Sequence, residues 1–275
     1  MQVMPAKKSR KPNTFLSDTK AQKHAKEAIE EFVCWHICAV GMRPTGDQPE
    51  VGTATAIRWR QRTFLLTADH VVKDVADQDL EFAFRPPGTL ERSIWWQSTP
   101  PRAQKYLRAR RIEIVQRHRS VKDDLAALEV HPELEDQNLV RFFDLPPESK
   151  VVRPTGSSIC TIGVPFDSFE RLAPGAVAFQ ATVHWGELVS PSKRLLRDFN
   201  RRKHLLLEFP PANDGRHPGG FSGAGAWYQA PSVEPPIVWS FRPVLAGIIT
   251  HFYQASKVLR ITRIERVVAF LRTIA

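Results

Sequence analysis

The chain has little cysteine and no long apolar run, and each absence narrows the class of protein it can belong to. Only three of its 275 residues are cysteines, an odd and sparse set that excludes the disulfide framework of a secreted protein. No stretch approaches the roughly 18 to 20 apolar residues that a membrane span requires, so no membrane contact is expected. The basic first residues precede no apolar run of signal-peptide length, and a cytoplasmic location with reduced thiols is therefore expected.

Composition and charge are informative about partners rather than about fold. The sequence is 42% hydrophobic and 25% charged, which excludes wholesale disorder and a coiled coil. A formal net charge of +10 would attract anionic partners or phosphate backbones at low salt. A run of charge is usually a solvated loop, so nucleic-acid binding is the less favoured interpretation of the basic cluster. That cluster consists of Lys193, Arg194, Arg197, Arg201, Arg202 and Lys203.

Short runs rich in β-branched and aromatic residues predict a mostly β protein. Residues 17–32 are rich in Ala, Lys and Glu without Gly or Pro, and residues 263–274 have apolar side chains at helical spacing, so each predicts a helix. Pro146, Pro147 and Pro154 mark a linker between two sets of strands. The predicted strands are 33–42, 53–60, 63–67, 80–84, 111–116 and 125–130 before the linker, and 158–163, 177–185, 204–209, 224–228 and 244–250 after it.

Three separate segments carry the residues that acyl transfer by a serine hydroxyl requires: a base, a carboxylate that orients it, and amide donors for an oxyanion. Residues 64–72, FLLTADHVV, are an apolar strand that ends in a polar turn and His70. Residues 123–130, DDLAALEV, open an apolar strand with carboxylates. Residues 218–226, PGGFSGAGA, place Ser222 among glycines, which let the backbone turn sharply and approach a substrate. Taken singly, each has an ordinary structural interpretation as a strand end, a loop end or a turn.

Together these segments resemble the trypsin-like serine peptidases. They resemble the family's Leu-Thr-Ala-Ala-His, Asp-Ile-Ala-Leu-Leu and Gly-Asp-Ser-Gly-Gly segments, with Asp69 in place of the second alanine and Ala224 in place of the last glycine. Their order is the chymotrypsin order of His, Asp and Ser. Residues 160–166, CTIGVPF, resemble a strand of bacterial HtrA-like proteases, and residues 245–250, LAGIIT, resemble the strand that follows the nucleophile. The resemblance is closest to bacterial trypsin-like peptidase domains.

This resemblance implies a mostly β fold of two antiparallel β-barrels of chymotrypsin type, with an N-terminal helix and a C-terminal helix. Residues 1–32 are then a basic tail and helix, and residues 33–275 are the peptidase domain. Within that domain the expected bounds are about 33–145 for the first barrel, about 155–256 for the second, and about 262–274 for the closing helix.

The same resemblance assigns site residues. It makes His70, Asp124 and Ser222 the catalytic triad, and it makes the amides of Gly220 and Ser222 the oxyanion hole. Asp123 is then expected to be an exposed neighbour of the triad acid.

The substrate pocket is predicted by counting along the same segments. This counting places Arg216 at the pocket floor and Thr250, His251 and Phe252 along the wall. An arginine at the floor would favour a small or acidic residue before the cut, because it stabilises a carboxylate. The alternative is that Arg216 points to solvent and that Asp214 selects Lys or Arg instead.

The implied function is an intracellular serine endopeptidase that forms an acyl-enzyme, acts on polypeptides and needs no cofactor or metal. The resemblance also implies a regulated effector beside a sensor protein in a bacterial defence or stress system. Phe221 occupies the position of the aspartate that pairs with a new amino terminus in trypsin-type zymogens, so activation by that ion pair is excluded. The competing hypothesis is a catalytically silent module that binds a protein or nucleic-acid partner.

Cys34, His36 and Cys38 have the residue types of a metal site. On one strand the outer sulfurs would lie about 13 Å apart, which is too far for one zinc ion with bonds of about 2.3 Å to sulfur. We therefore expect these side chains to share the inward face of a strand.

Overall fold

The computed structural model places most of the described residues in two antiparallel sheets, with one long helix before them and one after. The predicted basic tail, Pro147, Pro154 and Arg216 lie outside the described residues. The described residues are 19–42, 51–84, 111–146, 158–165, 170–173, 176–178, 181–190, 196, 198–209, 218–229 and 243–274.

The first sheet has the strand order β4-β1-β2-β3-β6-β5, and the short β7 pairs in parallel with β2. Arg60 and Gln61 close the hairpin between β2 and β3 with φ values of 47° and 67°. Two successive positive φ angles are typical of a type I′ turn, whose twist matches that of the flanking strands. The strands are β1 (Ile37–Met42), β2 (Val51–Trp59), β3 (Arg62–Thr67), β4 (Leu80–Ala83), β5 (Ile114–Ser120), β6 (Leu125–Val130) and β7 (Phe143–Asp144).

Strands β2 and β3 are buried along nearly their whole length because both of their faces are covered. Successive side chains on a strand point to opposite faces. Ala56 and Leu65 pack in the interior of the first sheet, whereas Ile57 and Leu66 belong to a second cluster with Trp227 of the other sheet. This double burial explains why apolar side chains occur at consecutive positions in both strands, Ala56-Ile57 in β2 and Phe64-Leu65-Leu66 in β3.

The second sheet has the strand order β11-β8-β13-β14-β15-β12. Its inner face holds aromatic and aliphatic side chains, among them Phe209, Phe221 and Tyr228. A separate pair consists of β9 (Glu170–Ala173) and β10 (Ala176–Ala178). The strands of the sheet are β8 (Ile159–Gly163), β11 (Thr182–Gly186), β12 (His204–Glu208), β13 (Gly225–Gln229), β14 (Pro243–Tyr253) and β15 (Val258–Arg263).

The helix α1 (Thr19–Cys34) precedes the sheets and packs on the second of them. Trp185 Nε1 donates to Glu30 Oε1 at 2.7 Å, and the Phe32 ring meets the Trp227 ring edge-on at 5.5 Å. The chain then passes back to the first sheet through β1. This helix therefore holds the two sheets together from one side.

The helix α4 (Ile264–Arg272) follows β15 and packs against β14. Its apolar side chains recur on one face and are buried, as an amphipathic surface helix requires. The other helical segments are short: α2 (Asp69–Val72), α3 (Glu133–Asp136) and the 3-10 turns Asp77–Asp79 and Val121–Asp123.

The predicted mostly β architecture of two antiparallel sheets with a helix at each end is confirmed. The predicted first strand is wrong at its start, because Val33 and Cys34 end α1 and the strand begins at Ile37. Cys34, His36 and Cys38 consequently share no strand face: they lie in a helix, a turn and β1.

Candidate active site

His70 lies in the first turn of α2, directly after β3, with its side chain 43% exposed. Its Nδ1 is 3.0 Å from Asp124 Oδ2 and 3.1 Å from Oδ1. The His70 backbone N–H also donates to Asp124 Oδ1 at 3.1 Å, and the Asp69 N–H donates to the Asp124 carbonyl at 3.2 Å. The ring and the backbone of this segment are thus both fixed on Asp124.

Ser222, from the second sheet, completes a cluster of three side chains with His70 and Asp124. Its Oγ is 3.0 Å from His70 Nε2. When the Nδ1–H of the neutral imidazole donates to the Asp124 carboxylate, Nε2 is left as an acceptor for the serine hydroxyl. The geometry therefore matches a serine, a base and the carboxylate that orients the base.

Asp124 has a left-handed backbone conformation with φ 51° and ψ 50°. Such a conformation costs roughly 1–2 kcal/mol for most residues, and aspartate is among those that adopt it more often. The strain is held by the 3-10 turn before it, whose Val121 carbonyl accepts the Asp124 N–H at 3.3 Å. This turn aims the carboxylate at His70 rather than along β6.

The glycines around Ser222 are required by close backbone contacts. Gly220 and Gly223 both have a φ of +94°, and a Cβ on either would lie 1.8 Å from a backbone oxygen, that of Val164 or that of Thr53. The Phe221 N–H donates to the Pro218 carbonyl at 3.2 Å, so Gly220 is the third residue of a β-turn. A positive φ at that position is the mark of a type II turn.

The amides of Gly220 and Ser222 are the predicted oxyanion donors. Within the described part of the chain, neither N–H donates to a protein acceptor. Gly223 and Ala224, by contrast, donate their amides to the carbonyls of Ile249 and Phe221 at 2.7 and 2.9 Å. Two unused donors thus flank the serine hydroxyl, which is an arrangement suited to a developing oxyanion.

Two threonines of β2 hold the serine loop, residues 218–224, from the other sheet. The Thr53 N–H donates to the Ser222 carbonyl at 2.9 Å, and its hydroxyl donates to the Gly220 carbonyl at 2.8 Å. The same hydroxyl accepts the Val164 N–H at 3.1 Å. The Thr55 hydroxyl donates to the Gly223 carbonyl at 2.9 Å. These residues were missed in the sequence, where they look like ordinary polar positions of a buried strand.

Comparison with known proteins gives the fold its name. No family model matches the chain, and no curated protein matches its sequence. Among solved structures it is similar to a scabies mite inactivated protease paralogue, S-I1, with 15% sequence identity and a TM-score of 0.56. The likeness covers 88% of this chain and 94% of that one. This is the chymotrypsin-like fold. At this identity the likeness shows the fold alone.

Phe221 fills the position before the serine in this chymotrypsin-like fold. It is 1% exposed, and its ring meets the Phe209 ring edge-on at 5.4 Å. A Cβ on Gly163 would lie 2.6 Å from its Cγ, so the ring packs directly on the β8 backbone. The serine loop is therefore anchored by apolar packing.

Arg260 of β15 is a further residue of the site that the sequence did not reveal. It is only 9% exposed, and its Nη2 lies 3.4 Å from Asp124 Oδ2 while its Nε donates to the Thr250 hydroxyl at 3.2 Å. The Thr250 and Thr262 hydroxyls are 3.1 Å apart. A buried cation thus touches the carboxylate that orients His70.

The expectation that Asp123 is exposed is wrong. Asp123 is 3% exposed, and Arg266 of α4 donates to both of its oxygens, at 3.2 and 2.7 Å. Lys203 Nζ lies 3.4 Å from Asp123 Oδ1, and the Ser120 hydroxyl donates to Asp123 Oδ2 at 3.2 Å. Burial alone would raise the pKa of the Asp123 carboxyl, but the hydrogen bonds and charge of Arg266 and the charge of Lys203 hold it below its usual range. Asp123 is therefore an ionised, buried anchor for α4.

The predicted pocket residues Thr250, His251 and Phe252 differ from one another in burial and in contacts. Thr250 is fully buried and bonds to Arg260, so its hydroxyl supports the carboxylate side of the cluster. His251 is exposed at the surface, with part of its ring covered. That partial burial is the main cause of its lowered pKa, and the charges of Arg260 and His70 lower the pKa further. Phe252 is half-buried, with its ring 5.9 Å from that of Phe209.

The three cysteines are free and buried. Of the candidate metal set, the Nδ1–H of His36 donates to the Phe32 carbonyl at 2.7 Å, and burial lowers the pKa of His36 to about 4. Among the residues the structure describes, no group of three or more His, Cys, Asp or Glu side chains could hold a metal ion. None of the described helices is long and apolar enough to cross a membrane.

Proposed function

We propose that the protein is a serine endopeptidase whose nucleophile is Ser222, whose general base is His70 and whose orienting carboxylate is Asp124. One observation carries the proposal: Ser222 Oγ and Asp124 Oδ2 each lie 3.0 Å from opposite nitrogens of the His70 ring. The three residues come from distant segments. They are fixed by hydrogen bonds from the backbone N–H groups of Asp69, His70 and Thr53. Such a chain of contacts is what acyl transfer by a serine needs.

The reaction begins when His70 Nε2 removes the proton of the Ser222 hydroxyl as Oγ attacks the carbonyl carbon of a peptide bond. The tetrahedral intermediate collapses when the imidazolium returns that proton to the leaving amine, so the C–N bond breaks and an ester on Ser222 remains. His70 Nε2 then removes a proton from water as the water oxygen attacks the ester carbonyl. The imidazolium returns that proton to Ser222 Oγ as the ester C–O bond breaks and the carboxylic acid product leaves. Asp124 stabilises the imidazolium in both halves of the cycle.

The amides of Gly220 and Ser222 supply the proposed oxyanion hole. Their lack of acceptors within the described residues supports this role, because the donors are free for a substrate oxygen. The positive φ of Gly220 fixes the orientation of its peptide group, so the donors need no rearrangement during the reaction.

The loop needs no new amino terminus to hold it. In place of an ion pair, the buried ring of Phe221 packs on Phe209 and on the backbone of Gly163. We therefore extend the proposal to an enzyme whose serine loop is formed in the uncleaved chain, with control exerted by a regulatory or sensor protein in a bacterial defence or stress system.

Substrate and location belong to the same proposal. The substrate is a polypeptide, and the basic character of Arg216 and of the chain as a whole favours a small or acidic residue before the cut. A peptide library separates this preference from one for Lys or Arg set by Asp214. Three free, buried cysteines support a reducing, cytoplasmic location, and the residue matches at 64–72 and 160–166 support kinship with bacterial HtrA-like peptidases.

The test is covalent labelling with a fluorophosphonate, which reacts with an activated serine. Wild-type protein should be labelled, and Ser222→Ala and His70→Ala should each lose nearly all labelling, because residues of such a cluster act as a unit. Ser256→Ala is the matched control, since Ser256 is exposed and lies away from the cluster. Labelling of Ser222→Ala at the wild-type rate would disprove the assignment.

The competing hypothesis is a catalytically silent binding module. The mite protein with this fold is described by its name as inactivated, so the fold does not guarantee hydrolysis. The contacts of His70 with both Asp124 and Ser222 favour the enzyme. Absence of labelling in folded wild-type protein would favour the silent module.

A further inference from the structure

Two buried carboxylates lie directly before the base and the acid of the cluster, and each is held by one arginine. Asp69 precedes His70 and is 4% exposed, with Arg119 Nε and Nη2 donating to its two oxygens at 2.6 and 3.0 Å. Asp123 precedes Asp124 and is held through the same two nitrogens of Arg266. In both pairs Nη1 forms no bond to any described residue, so each arginine retains a free donor.

Both arginines line a single cavity of about 530 Å³. The cavity lies between the end of β5, the 3-10 turn Val121–Asp123 and α4. Neither Ser222 nor His70 lines it. Its cationic side chains are Arg119, Lys122 and Arg266, and its apolar side chains are Val121, Ala269 and Phe270.

The charge of this cavity is unbalanced. Its one carboxylate, Asp123, is already paired with Arg266 and Lys203. Lys122 is exposed and has no carboxylate partner among the described residues. The cavity therefore presents cations to solvent, and an anionic ligand would gain charge-assisted hydrogen bonds there.

The apolar lining distinguishes between anions. Val121 is 75% exposed beside these cations, so the cavity offers a ligand an aliphatic contact next to its charged groups. An inorganic anion would use the cations, leave Val121 in water and fill only part of the cavity. A peptide with carboxylate side chains next to aliphatic ones would contact both kinds of lining.

We propose that this cavity binds an acidic peptide segment of a partner protein, and that binding slows acylation at Ser222. A peptide carboxylate at Nη1 draws each guanidinium toward the cavity and competes for the charge that holds Asp69 and Asp123. The backbone at His70 and Asp124 then loses part of its fixation. The effect on acylation rests on the proposed function, whereas the binding does not.

Binding is tested with full-length Ser222→Ala and a fluorescein-labelled hexapeptide of alternating leucine and glutamate, followed by anisotropy. The peptide should bind, its Leu-Gln counterpart should not, and Lys122→Glu should weaken binding at least tenfold. Lys23→Glu is the matched control, because Lys23 is an exposed residue of α1 and the charge change is equal. Equal weakening by the two variants, or equal binding of the Leu-Gln peptide, would overturn the site. Displacement of the peptide by 1 mM inorganic phosphate would overturn the peptide as its ligand.

Coupling is tested by the fluorophosphonate labelling rate of wild-type protein with and without saturating peptide. We expect the rate to fall at least threefold with peptide in the wild type and to stay constant in Lys122→Glu. An unchanged wild-type rate at saturating peptide overturns the coupling. Failure to label without peptide counts against the proposed function instead, and the anisotropy measurement on Ser222→Ala then decides the site by itself.

Discussion

Arg260 Nη2 lies 3.4 Å from Asp124 Oδ2, so a buried guanidinium touches the carboxylate that faces His70. The same side chain donates through Nε to the Thr250 hydroxyl. The carboxylate of Asp124 is thus held from the first sheet by His70 and from the second by Arg260. No pattern in the sequence distinguishes this arginine from the other residues of β15.

Replacing Arg260 by Met should lower the rate constant of fluorophosphonate labelling about tenfold. A hydrogen bond to a charged group contributes roughly 1.5–3 kcal/mol, and Asp124 would lose one of its donors. Arg260→Lys should not restore the rate. Lysine has a single ammonium in place of the planar guanidinium, so it cannot bond to Thr250 and Asp124 at the same time. A labelling rate within twofold of wild type in Arg260→Met, at equal thermal stability, would contradict this role.

The Gly220→Ala variant should lose labelling by a factor on the order of 10²–10³, the cost of removing one oxyanion donor. The added Cβ would lie 1.8 Å from the Val164 carbonyl, so the turn must move and take its amide with it. The thermal midpoint measured by circular dichroism is the control for folding. Near-normal labelling with a folded protein would show that this amide is not used.

The Thr53→Val variant should lower the free energy of unfolding by about 3 kcal/mol. Valine keeps the shape of threonine but leaves the buried Gly220 carbonyl and Val164 N–H unpaired, at roughly 1–3 kcal/mol each. Thr53→Ser retains the hydroxyl and is the matched control. Urea unfolding measures the difference, and equal losses in the two variants would show that packing rather than hydrogen bonding matters at this position.

Folding stability should decline as the pH falls from about 6.5 to about 4, in part through His36. Burial lowers its pKa in the folded protein to about 4, whereas in the unfolded chain histidine titrates near about 6.5. In that window the unfolded state binds the proton and the folded state does not, so up to about 3 kcal/mol is lost. His36→Gln should flatten that part of the curve, as followed by urea unfolding at each pH. A curve parallel to that of the wild type would refute the contribution of His36. Burial also lowers the pKa of His204 to about 4, and this residue acts in the same direction in both proteins.

The mostly β architecture could be predicted because strand runs and amphipathic helices have local signatures. The helix at 263–274, for example, differs from α4 (Ile264–Arg272) only at its ends. Local patterns failed where two structures compete. Residues 33–42 contain β-branched and aromatic side chains that suggest a strand, but Val33 and Cys34 continue the buried face of α1.

The site was predictable only in the segments that carry motifs. The segments of His70, Asp124 and Ser222 do meet in space, although their catalytic roles stay predictions. Asp123 was expected to be an exposed neighbour of Asp124, but it is buried against Arg266, which lies 143 residues away in the sequence. Thr53 holds Gly220 across 167 residues, and no spacing rule connects them. Such contacts arise from tertiary packing, which single-sequence patterns do not contain.

The bonds from Thr53 to the serine loop have a consequence for the chain during its synthesis. His70 and Asp124 emerge from the ribosome before Ser222, and the bonds from β2 to the serine loop can form only once that loop has emerged. A nascent chain that has not yet reached Ser222 therefore lacks the nucleophile of the proposed function. On the proposed function, proteolytic activity would begin only after the serine loop has bonded to β2, so a partly synthesised chain could not cleave itself or its neighbours.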